Sequence, residues 1–393
     1  MSTFTKFIGS VIEILYIPLL FTICWISKFF NKKYQIGLGP EPLINNIYHK
    51  KALEKYGYSA ETFVNDVFFI TKDFDQIISI KNRYLKRILQ HILHIDFLFL
   101  IFRYEAIYIY FNGGPLQSSK ILSSLEPYLL KTAQIKVVVM PYGGDVQDLS
   151  RTDNLLYKDA MTLDYPEHKF RRKRISINID RWTAHSDHVI SGCDWVDYMH
   201  HWDTLMSAHF SIDIESIRDK YLKEREKNNS FKILHAPNHR DIKGTNYLIN
   251  AVNRLKDEGY DIDLKLLEKK SNDEVLKEIN NADLIVDQLI IGWYAMFAIE
   301  SMALEKPVIC YLREDLLDFY SQKDILSREN LPLINATPKN IYHKIKKAYE
   351  SPDMLQEASK KGPDFVRNMH SIQSVGKVFS NINESIGLYP RSV

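Results

Sequence analysis

Short apolar runs that end in glycine-bearing loops, with helical patterns between them, recur along most of this chain. Residues 34–37 run into Gly37, Gly39 and Pro40; 106–111 (AIYIYF) into Asn112-Gly113-Gly114-Pro115; 135–140 (IKVVVM) into Pro141-Tyr142-Gly143-Gly144-Asp145; 187–191 into Gly192. Strands alternating with helices in this way argue for a parallel sheet, whose ligands sit beyond the carboxyl ends of the strands. After Asn228-Asn229-Ser230 the pattern restarts, with strands at 231–235, 263–267, 283–286 and 307–311 and helices at 245–259, 273–280 and 296–304. The expected class is therefore α/β, with two Rossmann-like domains of similar design. They occupy 34–212 and 231–370, with a linker at 213–230 and a closing helix and tail at 371–393. A cleft between two such domains is the default ligand site.

At ~150 residues per domain, 393 residues suit two domains and an appendage. Disorder is excluded by 45% hydrophobic residues. With 51 basic against 49 acidic side chains the net charge is only +2, too small for a dedicated nucleic-acid binder. Any basic function must be local. Cys24, Cys193 and Cys310 lie far apart without CxxC spacing, so no disulfide framework or structural zinc site is readable. His185, His188, His200, His201 and His209 form no ligand pattern either, and no metal is expected.

The first 33 residues read as a membrane-associating segment. Between residues 8 and 30 only Glu13 and Lys28 are charged, but the uncharged part, 14–27, falls short of the ~20 residues that cross a bilayer comfortably. Pro18 lies in its middle. Crossing, re-entrant and interfacial placements all fit, and a buried helix is the alternative. Lys28, Lys32 and Lys33 just after the segment place the following domains on the cytoplasmic side. A second stretch, 81–102, puts Lys81, Arg83, Lys86 and Arg87 ahead of IDFLFLIF, which suits either a helix on an anionic membrane face or a core helix. Five cations in Lys169-Phe170-Arg171-Arg172-Lys173-Arg174 suit lipid phosphates, a polyprenyl-diphosphate acceptor, or a solvated helix start.

The chemistry concentrates in HAPNHRDIKGTNYLINAV (235–252) and NADLIVDQLIIGWYAMFAIESMALEKPVICYL (281–312). These segments resemble the nucleotide-binding domain of retaining GT-B glycosyltransferases of family 4. That family carries an Arg and Lys-Gly loop before a helix, then E-x-F-G-x-x-x-x-E and (A/S)-M-A-x-G-x-P-V. Gly292-Trp293-Tyr294-Ala295 and Glu300 occupy the motif here, followed by Ser301-Met302-Ala303 and Pro307-Val308. The likeness is specific over 231–312 and looser over 34–230.

A turn at 292–295 opening into a helix aims free amides and the positive helix end at the cleft, which suits a diphosphate. The amides at Tyr294, Ala295 and Met296 are the candidates, with Arg240 and Lys243 as a cationic clamp on the leaving group. Glu300 is placed to accept hydrogen bonds from ribose hydroxyls, and the resemblance implies the same role. It also implies that Gly39 belongs to a glycine loop near the donor phosphates. Tyr142-Gly143-Gly144-Asp145 stands where relatives carry His-Gly-x-Asp, and Asp145 either contacts the acceptor or organises the turn. Three positions depart from the family: its first motif glutamate is Gly292, its motif glycine is Ala295, and the glycine before Lys-Pro-Val is Glu305. Asp287 and Gln288, just upstream, could compensate for the loss at 292.

The resemblance implies transfer of a sugar, with retention, from a nucleotide-sugar donor to a lipid-linked or glycan acceptor in cell-surface polysaccharide or glycolipid synthesis. No cofactor or metal is implied beyond the donor. Expected partners are the donor, that acceptor and an anionic membrane surface, not nucleic acid. A nucleotide-sugar 2-epimerase and a non-catalytic scaffold on the same fold remain open.

Overall fold

The structure is a computed structural model and describes residues 3–67, 71–78, 80, 93–224 and 230–391, with the backbone alone for 3–10. The N-terminal half comprises α1 (Thr3–Ser27), β1 (Tyr34–Leu38), α2 (Ile44–Glu54), β2 (Ala60–Val64), β3 (Gln76–Ile77), α3 (Ile95–Arg103) and β4 (Tyr104–Tyr110). It continues with α4 (Leu122–Thr132), β5 (Lys136–Met140), α5 (Leu155–Asp164), α6 (Arg172–His185), β6 (His188–Ser191), β7 (Thr204–Leu205) and α7 (Ile214–Tyr221). Its strands form one parallel sheet in the order β3-β2-β1-β4-β5-β6-β7. Successive side chains of β4 point to opposite faces. Ile107 and Ile109 pack with α1, α3, α4 and α6, whereas Ala106, Tyr108 and Tyr110 pack under α2. Both faces are covered, which is why the strands read as continuous apolar runs.

The C-terminal half comprises β8 (Phe231–His235), α8 (Arg240–Lys243), α9 (Thr245–Asp257), β9 (Ile262–Leu266), α10 (Asn272–Asn281), β10 (Leu284–Val286), α11 (Met296–Ala303) and β11 (Val308–Cys310). Then follow α12 (Glu314–Gln322), β12 (Leu333–Asn335), α13 (Ile341–Glu350), α14 (Pro352–His370) and α15 (Ile372–Ser385). The sheet order is β12-β11-β10-β8-β9, all parallel. Strand order reverses between β1 and β4 in one sheet and between β8 and β10 in the other, the switch points where such sheets hold ligands. The start of α10 is set by a capping box between Ser271 and Glu274.

The two halves are tied together twice. Loops beyond the carboxyl ends of both sheets meet: the Asn154 amide donates to the carbonyls of Ile290 and Ile291, and the Trp293 indole to that of Ser207. The chain also crosses back after α14. The Ile212 amide donates to the His370 carbonyl, the Ile212 carbonyl accepts from the Ile372 amide, and α15 lies on α2 in the back layer of the first sheet. Gly376 makes that contact close, since a Cβ there would sit 2.5 Å from the Ala52 carbonyl oxygen.

Among the described residues no helix is long and apolar enough to cross a membrane. Helix α1 instead packs Leu20 and Cys24 into the core and leaves Leu15, Leu19 and Trp25 exposed, with exposed Phe29 just past its end. The apolar run after residue 94 resolves toward the core alternative, because Phe97, Leu100 and Ile101 of α3 are fully buried. The basic residues ahead of it, Lys81 to Arg87, lie outside the described residues, as does part of the 213–230 linker.

Gly376→Val should separate α15 from α2 and cost about 1–3 kcal/mol, the usual penalty of overpacking a filled contact. Thermal unfolding of the full chain checks it, and an unchanged Tm would contradict the contact.

Candidate active site

The loop that follows β10 is organised by one buried amide. The Gln288 side chain donates to the carbonyls of Trp293 (2.7 Å) and Tyr311 (2.9 Å) and accepts from the amides of Ile290 (2.9 Å) and Ile291 (2.8 Å). Its backbone carbonyl takes the Tyr311 amide. Residues 288–293 thereby form a compact turn that delivers the chain to Ala295, the uncapped start of α11. Trp293 and Tyr294 are buried between the halves, and the Tyr294 hydroxyl is held by Ser207 and His370. Ala295, Met296 and Phe297 are partly exposed. The first turn of α11 therefore keeps its free amides and the positive helix end toward solvent.

Lys243 ends the one-turn helix α8, and Gly244 follows in the left-handed conformation. The lysine ammonium lies 2.8 Å from a carboxylate oxygen of the fully buried Asp287, at the end of β10. The Lys243 carbonyl accepts the Leu289 amide, so its loop and the Gln288 turn form one unit. Behind it, His235 bridges the Val286 carbonyl and the Thr245 hydroxyl, and burial lowers its imidazole to about 4.

Glu300 faces away from solvent in α11 and accepts from the Asn272 amide at 2.8 Å, at the start of α10. Burial pushes its carboxyl up to about 7, against the opposing pull of Asn272. Tyr48, on α2 of the other half, has its phenol raised by burial first and by Glu300 second, which places the carboxylate beside the domain interface.

Arg240 is elsewhere. Its guanidinium makes a bidentate pair with Glu268, 2.8 Å at each arm, on the exposed edge beyond β9. It is not brought to Lys243 as a second arm of a clamp. Asp145 is fully buried and accepts from the amides of Phe111, Tyr142 and Gly143 at 2.9–3.0 Å. Burial raises its carboxyl to about 7 although the three amides pull it down. This is a turn-organising carboxylate rather than one that reaches an acceptor. Gly39 lies against β2, where a Cβ would be 2.0 Å from the Phe63 carbonyl oxygen; the backbone approach explains the residue.

The Gly292 departure has a steric cause. The residue has φ +99°, and a Cβ would lie 2.6 Å from Cγ of Arg313. Arg313, just beyond β11, occupies that corner and crosses the cleft to Asp197 of the first half, which also accepts from the Thr152 hydroxyl. Sequence reading missed Arg313, Asp197, Asn272 and Tyr48. The signal available was position alone, since Arg313 and Asn272 follow strand ends as ligand residues in such folds do. Of the 169–174 run, Arg172 pairs with Asp148 and the other cations point outward. No group of three or more His, Cys, Asp or Glu with metal-holding geometry exists among the described residues.

Comparison with known proteins finds similarity in fold. No protein-family model matches the chain, and no curated protein sequence does. Among solved structures, HepE of Anabaena in complex with UDP and glucose matches with a TM-score of 0.59 at 9% identity, over 90% of this chain and 100% of that one. Sucrose-phosphate synthase of Thermosynechococcus elongatus gives 0.57 at 12%, over 90% and 99%. WaaG, described as a glycosyltransferase involved in lipopolysaccharide biosynthesis, gives 0.52 at 10%, over 90% and 100%. The shared architecture is GT-B, two parallel-sheet α/β domains facing a cleft.

Placing a glutamate at 292 should destabilise the chain. A side chain at that φ costs about 1–3 kcal/mol in backbone strain, and the Arg313 clash adds to it. In an Arg313→Ala background the cost should shrink to the backbone part, a coupling that a double-mutant cycle reads from denaturant unfolding. Equal costs in both backgrounds would contradict the steric account.

Proposed function

We propose that this protein is a glycosyltransferase that moves a sugar from a nucleoside-diphosphate donor to a lipid-linked or glycan acceptor, at the cytoplasmic side of a membrane. The observation that carries the reading is the open N-terminus of α11, which shares one rigid turn with Lys243 and holds Glu300 just over a helical turn further on. The GT-B architecture supports it, as do the nucleotide and sugar named in the HepE complex. The role of WaaG in lipopolysaccharide biosynthesis accords with a cell-surface glycan or glycolipid product.

The amides of residues 295–297 and the Lys243 ammonium hold the diphosphate, where negative charge grows as the leaving group departs. Glu300, positioned by Asn272, accepts from the ribose hydroxyls. The family resemblance assigns retention, and front-face displacement fits the residues present. The acceptor oxygen bonds to the anomeric carbon while the bond from that carbon to the diphosphate oxygen breaks. The acceptor proton passes to the departing diphosphate, so no protein base is required. That accounts for an Asp145 engaged only with backbone amides.

One observation favours a second reading, a non-catalytic binding protein. The corner where relatives carry the motif glutamate is filled by Arg313 and its Asp197 bridge. Nucleotide binding without sugar release or transfer from any donor would support that reading over the first.

Lys243→Ala should reduce sugar transfer or donor hydrolysis by about 10²–10³, the usual effect of losing one preorganised group at a developing charge. Thermal unfolding run alongside separates this from the cost of leaving Asp287 unpaired. Unchanged turnover in a folded variant would sink the assignment. The Glu300 carboxyl, pushed up to about 7, supplies a pH test. Ribose hydroxyls donate to its ionised form, so binding lowers its pKa and releases a proton. Nucleotide affinity should therefore rise as pH passes upward through about 7, and Glu300→Gln should flatten that rise.

A further inference from the structure

Helices α1, α4 and α6 lie side by side in one layer on the first sheet: α1 packs on α4, and the Tyr128 hydroxyl of α4 meets the His185 ring of α6 at 3.1 Å. The outer surface of this layer is unusually apolar. Along α1 and just past it, Val11, Ile14, Leu15, Leu19, Ile26 and Phe29 recur at helical spacing and all face out, Leu15 with 74% of its surface exposed. Ahead of α6, Leu163 and Phe170 are exposed at 61% and 72%. Single exposed apolar side chains are ordinary, but a stripe of them is not.

Cations are interleaved with both stretches. The Lys28 ammonium lies 5.0 Å from the ring centres of Trp25 and of Phe29, and that of Lys169 lies 5.1 Å from Phe170. Among the described residues, Lys169, Arg171, Lys173 and Arg174 form no ion pair, although Asp159, Asp164 and Glu167 stand close by in sequence. Large apolar side chains ringed by unpaired cations match a lipid surface with anionic headgroups. They do not match a second copy of the chain, which would set the two cation clusters against each other.

We propose that this face, α1 together with the 163–174 segment, docks the protein on an anionic bilayer without spanning it. The same segment reaches the cleft: the Asp164 carboxylate accepts from the Ile242 amide at 2.8 Å, and the Tyr165 ring lies 4.5 Å from that of His239. Docking therefore brings the cleft rim to the membrane surface, where a lipid-linked acceptor is presented. The docking face stands on these surface observations, whereas its use for acceptor delivery rests on the transfer reaction proposed above.

The test is flotation of the full chain with vesicles of phosphatidylcholine alone and of phosphatidylcholine mixed with phosphatidylglycerol. Binding should require the anionic lipid and weaken with salt. Arg171→Glu and Lys173→Glu should each weaken it by at least about fivefold, and Leu15→Asp and Phe170→Asp by roughly tenfold. All four sites are exposed, so Tm and nucleotide affinity should stay at the parent values. Equal flotation with both vesicle types, or parent-like flotation of all four variants, overturns the proposal. So does a concentration-dependent dimer abolished by Leu15→Asp in the absence of lipid binding, which would assign the face to a second copy. A parent chain that turns over donor but floats with neither vesicle type refutes the surface alone; a parent chain that floats with anionic vesicles but turns over no donor refutes the reaction alone.

Discussion

The Gln288 side chain is the interaction on which the second half depends. A fully buried amide with two donors and one acceptor oxygen must find partners for each. Here it finds them in two carbonyls and two amides of the loop beyond β10 and of Tyr311 beyond β11. Those four bonds close the turn that carries Gly292, place Trp293 and Tyr294 in the interface, and start α11 at Ala295 with its first amides free. Asp145 does the corresponding work in the first half, drawing together the loops beyond β4 and β5 through three amides. Each wall of the cleft is thus fixed by a single buried polar group serving backbone, the kind of preorganisation that the proposed transfer would use.

The cleft is bridged as well as walled. Arg313 reaches Asp197 over Gly292, Asn154 holds the carbonyls of Ile290 and Ile291, and Trp293 reaches Ser207. The return of α15 onto α2 adds a second tether on the back of the first domain. These contacts make the absent motif glutamate intelligible, because its corner already belongs to an interdomain ion pair. A sugar held there would meet a guanidinium rather than a carboxylate.

Much of this could be read from the chain. Most strand positions were legible because parallel strands buried on both faces are short and largely apolar, and β1, β5, β6 and β10 run directly into a glycine or an Asp-bearing turn. The place of α11 followed from the 292–300 spacing, and that of Lys243 from the glycine after it. What could not be read was pairing. Arg240 carries the right charge in the right loop, yet Glu268, distant in sequence, captures it. Asp145 lies at the expected strand end, yet three local amides consume its oxygens. Arg313 and Asp197 are 116 positions apart, and nothing local marks either. Side-chain destinations depend on partners that only the fold brings near, whereas periodicity is written in the neighbours themselves.

The central claim is that the free end of α11, with Lys243 and Glu300, is a nucleoside-diphosphate site. A calorimetric titration of the full chain with UDP, GDP and TDP, repeated on Glu300→Ala, tests it most directly. The account predicts saturable binding of one of the three, weakened by the substitution by at least the roughly tenfold that loss of a charged hydrogen-bond acceptor entails. Failure of all three to bind, or equal affinity in parent and variant, would contradict it.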